Sequence, residues 1–345
     1  MTERRNDGTW RRAAFVLVTY LSVVPSFRLS AQSTANAAAL FLVFPVGAQS
    51  VGMGQAGTAA DGRGEAAFWN PAGLATMSES EFALHTASLA AGRTTVASAY
   101  FPSARIGVVG GAVYLVDYGN LESTDSTGNT IARVAPRNIE FLASYATSIA
   151  GAMVFGINYK LVEFRVDCSG DCRTFPSGYG VTHGLDVGGQ FTVGESRALR
   201  IGVAVRNVGF RLQVENEAQA DPLPARVVVG ALYRLPLRAG TGAVGPGAGE
   251  GGAAGTRLDL QLAADVHSPW DGLGQSEMHV GLDIGYEQLL RLRGGYAFVP
   301  DGISGPSVGV GLTSGSIGVD LARMFVTASD LVVPNPTFFS FRVVF

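Results

Sequence analysis

The chain has 345 residues, of which 47% are hydrophobic and only 15% are charged, and its mean hydropathy is +0.24. Soluble domains average about 25% charged residues, so this composition argues against an ordinary soluble domain. A formal net charge of −3, without a basic cluster interleaved with aromatic residues, argues against a nucleic-acid partner. No apolar run after residue 31 approaches the length of about 20 residues that a transmembrane helix needs. The apolar residues must then be hidden by alternation along strands, as in the lipid-facing wall of a β-barrel.

Residues 1–31 are predicted to be a secretory signal peptide. A short apolar stretch, Ala13–Val24, follows a basic start that contains Arg4, Arg5, Arg11 and Arg12. Ser30-Ala31 offers a cleavage point, although Leu29 is larger than the residue usually found at its position. A basic tail without structure is the alternative interpretation, but the order of basic and apolar parts favours export.

Residues 32–78 are predicted to form an N-terminal hatch, or plug, that lies inside the barrel. The stretch is too rich in glycine and alanine for a strand or a stable helix, and too apolar for a free linker. It ends in Asn70–Leu74 (NPAGL), where Pro71 fixes φ and Gly73 permits a tight reversal. The residues predicted to form the hatch and contact a ligand are Phe41, Phe44, Met53, Phe68, Trp69, Asn70, Pro71, Gly73 and Leu74.

The same stretch contains a G-x-G-x-x-G pattern, Gly52–Gly57, which is also the fingerprint of dinucleotide-binding sites. That fingerprint works only between a strand and a helix, with an acidic residue roughly 20 positions further on. Here Asp61-Gly62 follows at once, and Asn70-Pro71 ends any longer helix. We therefore interpret these glycines as positions of close backbone packing and predict no nucleotide or other cofactor.

Residues 79–345 are predicted to form an all-β domain, a transmembrane antiparallel barrel of about 14 strands. Alternation is regular in Arg257–His267 and Glu277–Glu287, but a soluble β-sandwich would also show it. Loop lengths favour the barrel, because long and short connections alternate as they do between the outer and periplasmic sides of outer-membrane proteins. The longer connections are Tyr118–Arg137, Val166–Thr182, Gln213–Pro224, Ser268–Gln275 and Thr327–Asn335. Residues 238–255, rich in glycine and alanine, break this rule and are predicted to be a flexible periplasmic loop; a docking tether is the alternative.

The last strand ends with three aromatic residues on one face, Phe339, Phe341 and Phe345. Such a strand resembles the signal that bacterial barrel-assembly machinery recognises, so we predict that machinery as a partner. The location implied by export and a barrel is the bacterial outer membrane, where lipid covers the outer wall.

The two cysteines, Cys168 and Cys172, are predicted to form a disulfide, since exported proteins meet an oxidising compartment. A metal site would need further ligands in that stretch, and a thioredoxin-type pair has two intervening residues rather than three.

Charged residues on the predicted inward face are expected to pair with one another and with the hatch, because an isolated buried charge is costly. These residues are Lys160, Asp186, Arg200, Arg206, Asp259, Asp265, Asp283, Glu287, Arg291, Arg293 and Asp320. His267 and His279 lie on strands predicted to be neighbours, near Asp265 and Asp283. No serine motif or oxyanion-hole signal accompanies them. We therefore predict neither catalytic residues nor a metal site, and a non-enzymatic protein.

Three stretches carry a resemblance to a known family. The first is Val46–Leu74, the second Leu199–Leu235, and the third LLRLRGGYAF followed by PSVGVGL, within Leu289–Leu312. Together they resemble the PorV/PorQ family of outer-membrane proteins, which is related in architecture to the long-chain fatty-acid transporter FadL. The resemblance implies a FadL-like barrel that docks or shuttles exported cargo in type IX protein secretion. The alternative function is a FadL-like channel for hydrophobic small molecules such as long-chain fatty acids, and a lipid-modifying barrel enzyme is a third hypothesis.

Overall fold

The computed structural model describes residues 39–173, 177–194, 197–213, 220–239, 256–270, 275–287, 289–300, 304–326 and 334–345. The predicted signal peptide lies outside these ranges, as does 240–255, most of the predicted glycine-rich loop.

The described residues form fifteen strands. Their bounds are β1 (Glu81–Leu89), β2 (Gly92–Ser103), β3 (Gly107–Asp117), β4 (Leu121–Thr124), β5 (Thr130–Ala150), β6 (Met153–Gly170), β7 (Gly178–Val193), β8 (Leu199–Gly209), β9 (Arg226–Ala239), β10 (Thr256–Pro269), β11 (Glu277–Tyr286), β12 (Leu290–Phe298), β13 (Gly305–Ser314), β14 (Ile317–Met324) and β15 (Thr337–Val344).

Fourteen of these strands close into an antiparallel barrel. Within the barrel, neighbouring strands follow chain order, with β3 pairing directly with β5, and β1 pairs with β15 to close the sheet. The remaining strand, β4, pairs only with the far end of β5 and forms a hairpin above the barrel. This confirms the predicted barrel of about 14 strands. The prediction of 118–137 as a loop was wrong, because this stretch contains β4 and the start of β5.

The connections have the predicted parity. Two-residue turns join β5 to β6 and β13 to β14, while the connections at the opposite end are longer. The exceptions are the short turn between β1 and β2 and the long connection 240–255 between β9 and β10. Short turns mark the periplasmic end in outer-membrane barrels, so the longer loops lie at the extracellular end. The barrel is uneven in height, since β5 has 21 residues and β6 has 18, whereas β14 and β15 have 8 each.

The outer wall of the barrel is apolar. Along β10, Leu262 and Val266 are exposed on the outer face, while Asp265 and His267 are buried on the inner face. Phe339 and Phe345 of the predicted assembly signal are also exposed, on the outer face. This alternation fits a wall that faces lipid and encloses a polar interior. None of the described helices is long and apolar enough to cross a membrane.

Residues 39–78, which we call the luminal segment, lie inside the barrel. They form 3-10 turns at Leu40–Val43, Gly64–Phe68 and Pro71–Thr76, and one five-residue α-helix at Ala48–Gly52. The α-helix packs against β12–β15, and the last 3-10 turn packs against β5–β7 on another part of the wall. The segment therefore spans the lumen, with short turns instead of long helices because its glycines and Pro71 interrupt regular structure.

The predicted disulfide between Cys168 and Cys172 is present, near the extracellular end of β6.

Candidate functional site

The inward-facing charges of β11–β15 form a paired network. Asp320 accepts hydrogen bonds from Arg293 Nη1 at 2.6 Å and from Arg342 Nη1 at 2.7 Å. Arg293 Nε donates to Asp283 Oδ2 at 2.8 Å, and Arg291 Nη1 donates to Asp283 Oδ1 at the same distance. A buried charge needs such partners, because desolvation alone would be very costly. The predicted inward network is thus present on this side of the barrel.

A second network lies on the other side of the lumen. Lys160 Nζ lies 2.9 Å from Asp186 Oδ2 and 3.7 Å from Glu140 Oε1, and all three side chains are buried. Asn158 Nδ2 donates to the same Asp186 oxygen at 2.9 Å and to the Ala67 carbonyl of the luminal segment at 2.8 Å. Glu287, however, was wrongly predicted to face inward: it is exposed in the turn after β11, where its φ is +47°.

Asn70 anchors the luminal segment to β7 and β8. Its Nδ2 donates to the carbonyls of Thr58 at 2.9 Å and Gly189 at 3.2 Å, and its Oδ1 accepts from Ala72 N at 3.1 Å as a helix cap. The wall has glycine where Asn70 and Pro71 touch it: a Cβ placed on Gly188 would overlap Asn70 Oδ1, and one on Gly156 would overlap the Pro71 backbone. The Asn70–Leu74 motif is therefore a fixed attachment point.

Two charged groups of the luminal segment lie in a poorly solvated environment. Burial lowers the pKa of the Arg63 guanidinium to about 10, and the nearby positive charge of Arg342 lowers it further. Burial also raises the pKa of the Glu65 carboxyl, even though Glu65 accepts a 2.7 Å hydrogen bond from Ser50 N. Glu65 is thus almost fully shielded from water, whereas the Arg63 side chain remains 23% exposed.

The predicted hatch residues divide into groups. Phe44, Phe68 and Trp69 line a cavity. Phe41 and Leu74 are completely buried in the main core cluster, and Met53 packs in a separate cluster with Leu232 and Ala263. Asn70, Pro71 and Gly73 contact the β-wall or other parts of the luminal segment. The structure therefore does not bring all the predicted ligand-contacting residues together.

The cavity has a volume of about 520 Å³ and lies in the extracellular half of the barrel. Its lining includes the turn after β1 and residues just beyond β12 and β14, all at the extracellular end. Most of the lining is apolar, from Leu40, Val43, Phe44, Pro45, Val46, Phe68, Trp69, Leu89, Ala90, Ala91, Val299, Met324, Val326, Pro336 and Phe338. The polar lining residues are Gln55, Arg206, Arg226, His267 and Glu277.

A β-bulge beside this cavity adds Asn207 to the inward face next to Arg206. The pairing of β7 with β8 shifts register between Leu185 and Val187, so Asp186 faces both Arg206 and Asn207. Asn207 has a φ of +58° and is buried, with Lys160 Nζ donating to its Oδ1 at 2.7 Å. Two consecutive side chains therefore point inward, which is how bulges re-aim residues near functional sites. Strict alternation along β8 predicts the inward Arg206 but not the inward Asn207.

The cations at the cavity wall are only partly paired. Arg226 Nη1 donates to Glu277 Oε2 at 3.0 Å, and the Arg206 guanidinium carbon lies 5.9 Å from the centre of the Trp69 ring. Among the described residues, Arg206 Nε is buried and has no hydrogen-bond partner. Arg226 and Glu277 were missed from the sequence, and their only signal was a position on the inward face at the extracellular end of β9 and β11.

Comparison with known proteins supports the fold and its location. No protein-family model and no curated protein matches the sequence. The structure is similar to a FadL homologue from Pseudomonas aeruginosa, with a TM-score of 0.54 and 11% identity, covering 88% of this chain and 98% of that one. It is similar to the toluene transporter TodX of P. putida, with a TM-score of 0.56 and 11% identity, covering 87% of this chain and 98% of that one. The chain has the fold of a FadL-like outer-membrane β-barrel.

A third similar structure is the CymD monoaromatic hydrocarbon channel, with a TM-score of 0.51 and 16% identity, covering 87% of this chain and 97% of that one. At such low identity these likenesses concern the fold. Together with the apolar outer wall, this fold places the protein in the bacterial outer membrane. The PorV/PorQ resemblance gains no support from these comparisons.

Proposed function

We propose that the protein is an outer-membrane channel for hydrophobic small molecules, and that the cavity in the extracellular half of the lumen is their binding site. The cavity is the observation that supports this proposal most directly. Its volume of about 520 Å³ is typical of ligand pockets, which are mostly apolar with a few placed polar groups. The similar structures include a toluene transporter and a monoaromatic hydrocarbon channel, so the fold is known to serve hydrophobic substrates.

The polar wall suggests what the ligand looks like. Arg206 and Arg226 lie on one part of a lining that is otherwise largely apolar. A molecule with an apolar body and an anionic head, such as a long-chain fatty acid, would bury its body against Phe44 and Phe68 and offer acceptors to Arg206 Nε. Burial of apolar surface gives about 25 cal/mol per Å², so the body supplies the larger part of the binding energy.

Ligand passage requires the luminal segment to move locally. We infer that Val43–Val46, which borders the cavity and follows the buried Phe41 and Leu42, is the part that shifts, while Asn70–Leu74 stays attached to β7 and β8. The hatch role of the segment is thereby restricted to Val43–Val46.

Filling the cavity tests the proposal. Val43 lines the cavity, so Val43→Trp would occupy part of it, whereas Val109→Trp adds the same side chain to the exposed outer wall. We expect the purified wild type and Val109→Trp to bind oleate or toluene in calorimetric titrations in detergent, and Val43→Trp to bind at least about tenfold more weakly, which is about 1.4 kcal/mol. A heat-dependent shift in gel mobility checks that both variants are folded. Equal binding by the two variants, or none by the wild type, would contradict the proposal.

A second candidate function is the docking of exported cargo in type IX secretion, which the PorV/PorQ resemblance implies. The observation that favours it is the uneven height of the barrel, because β5 and β6 carry β4 and the Cys168–Cys172 disulfide above the other strands. Replacing the β4 hairpin, residues 119–131, by a short turn should then abolish surface delivery of cargo in the native host while leaving small-molecule binding intact. Unchanged delivery would remove this candidate.

A further inference from the structure

A cluster of two histidines and one glutamate lies on the inward face of β10 and β11. The register pairs His267 with Glu277, while His279 is two residues further along β11 and pairs with Asp265. His267 and His279 are 3% and 1% exposed. One ligand-type atom from each of His267, Glu277 and His279 lies within 4.8 Å of the others. The cross-strand register therefore brings three side chains that can ligate a metal close together.

The hydrogen bonding of His279 fixes which nitrogen faces the cluster. Its Nδ1 lies 2.9 Å from the carbonyl oxygen of Gly54, and a carbonyl can only accept, so Nδ1 carries the proton. In the neutral ring Nε2 then has a lone pair, and it lies 3.4 Å from Glu277 Oε2, which is also an acceptor. Two lone pairs do not attract each other, but a cation between them would be bound by both. Metal-ligating histidines commonly donate their other N–H to a backbone carbonyl in this way.

His267 completes the arrangement. Its Nδ1 lies 4.0 Å from Glu277 Oε2, and its Nε2 lies 3.6 Å from Asp265 Oδ2. Among the described residues, this buried Nε2 has no hydrogen-bond partner. If Nδ1 binds a metal, Nε2–H faces the Asp265 carboxylate, which gives the carboxylate–histidine–metal order found in zinc sites. Asp265 is itself held by a 2.8 Å hydrogen bond from Thr58 N.

The surrounding charges decide the class of metal. Glu277 already accepts a hydrogen bond from Arg226, and Arg206 also lines the cavity, so two cations offset the carboxylates of Asp265 and Glu277. A site without excess negative charge suits neither Ca²⁺ nor Mg²⁺, which depend on several oxygen ligands. Imidazole nitrogen favours Zn²⁺, Ni²⁺ and Cu²⁺, and a set of two histidines and one glutamate is an established zinc set with an open position. Because His267 and Glu277 line the cavity, an ion can enter from there.

We propose that His267, Glu277 and His279 bind a divalent transition metal of the Zn²⁺ type in the wall of the cavity. The bound ion would tie β10 and β11 to the luminal segment through the His279–Gly54 hydrogen bond. The proposal does not depend on the channel function. It differs from the sequence-based prediction of no metal site, because that prediction did not include Glu277, which the register places opposite His267.

The test uses the full mature chain without a histidine tag, purified in detergent and treated with EDTA. Calorimetric titration with ZnCl₂ should show one equivalent bound to the wild type, and Zn²⁺ should raise its thermal unfolding midpoint. His279→Gln and His267→Gln should each abolish both effects. His183→Gln, which changes an exposed histidine on β7, is the matched control and should behave as the wild type.

Arg226→Gln provides a measurement that a loss of folding cannot imitate. This variant removes the cation that competes for Glu277 Oε2, so it should bind Zn²⁺ more tightly than the wild type, by about tenfold or 1.4 kcal/mol. Absence of Zn²⁺ binding by the wild type would overturn the proposal and leave a proton shared between His279 and Glu277. Equal binding by the wild type and both cluster variants would overturn it too, since the ion would then be elsewhere.

Discussion

The two halves of the lumen hold the luminal segment in different ways. Toward the periplasmic end, Asn70 and Pro71 contact a glycine-lined wall, and Arg63 lies 3.8 Å from Asp320 in the ion-pair network. Toward the extracellular end, Phe44 and Trp69 border an apolar cavity. Charge pairs and close backbone contacts are directional and lose much energy when displaced, whereas apolar contacts around a cavity tolerate shifts. If the protein is a channel, as proposed above, the periplasmic half would stay closed and the extracellular half would take up the ligand.

Breaking the ion-pair network should have the largest effect. Asp320→Ala leaves Arg293 and Arg342 without their shared acceptor inside the barrel, and removing one partner of a buried ion pair costs about 3–5 kcal/mol. We expect a strongly lowered thermal unfolding midpoint in detergent, measured from the β-sheet signal in circular dichroism.

An exposed ion pair supplies the matched control for Asp320. Glu122 lies 3.4 Å from Arg133, and both side chains are more than half exposed. Glu122→Ala should cost less than about 1 kcal/mol, because water screens the pair. Similar midpoints for the two variants would show that the periplasmic half is not held by its charges.

Adding one methyl group to the wall should have an intermediate effect. Gly188→Ala places a Cβ on Asn70 Oδ1, which must move, and overpacking of this kind costs about 1–3 kcal/mol. Gly189→Ala is the control in the same strand, since the nearest atom to its added Cβ is Val154 O at 3.8 Å. Trypsin should cleave at Arg63 faster in Gly188→Ala than in Gly189→Ala. Equal cleavage rates would mean that Asn70 is not a fixed attachment point.

Much of the barrel could be predicted from the sequence, because alternation and loop parity are local patterns. The exposed Leu262 and the buried Asp265 follow directly from a period of two. Asn207 shows where this reasoning ends. A period of two places Arg206 inward, but one extra residue in β8 turns Asn207 inward as well, and a left-handed residue such as Asn207 is only a weak local signal. The β4 hairpin was missed for a related reason, since a four-residue polar strand resembles a loop.

The candidate site was harder to predict, because it depends on distances across the lumen. The sequence shows that Phe41 and Phe44 are apolar and close together, but not that one is buried in the core and the other borders a cavity. The association of His267 with Glu277 follows from the register of β10 and β11, and a one-residue change of register would separate them. Function stays the least predictable level, since one fold can serve several functions.

Truncating a cavity-lining side chain should have the smallest effect on stability. Phe44 is only partly buried and borders the cavity, so Phe44→Ala enlarges an existing space and should cost less than about 2 kcal/mol, below the 3–5 kcal/mol typical of a buried Phe→Ala change. Phe41→Ala is the contrasting variant, because Phe41 is completely buried and its ring centre lies 5.6 Å from that of Tyr114. Thermal unfolding in detergent compares the two. If Phe44→Ala were as destabilising as Phe41→Ala, Val43–Val46 would be as firmly held as the buried core, and the extracellular half could not open to a ligand by shifting these residues.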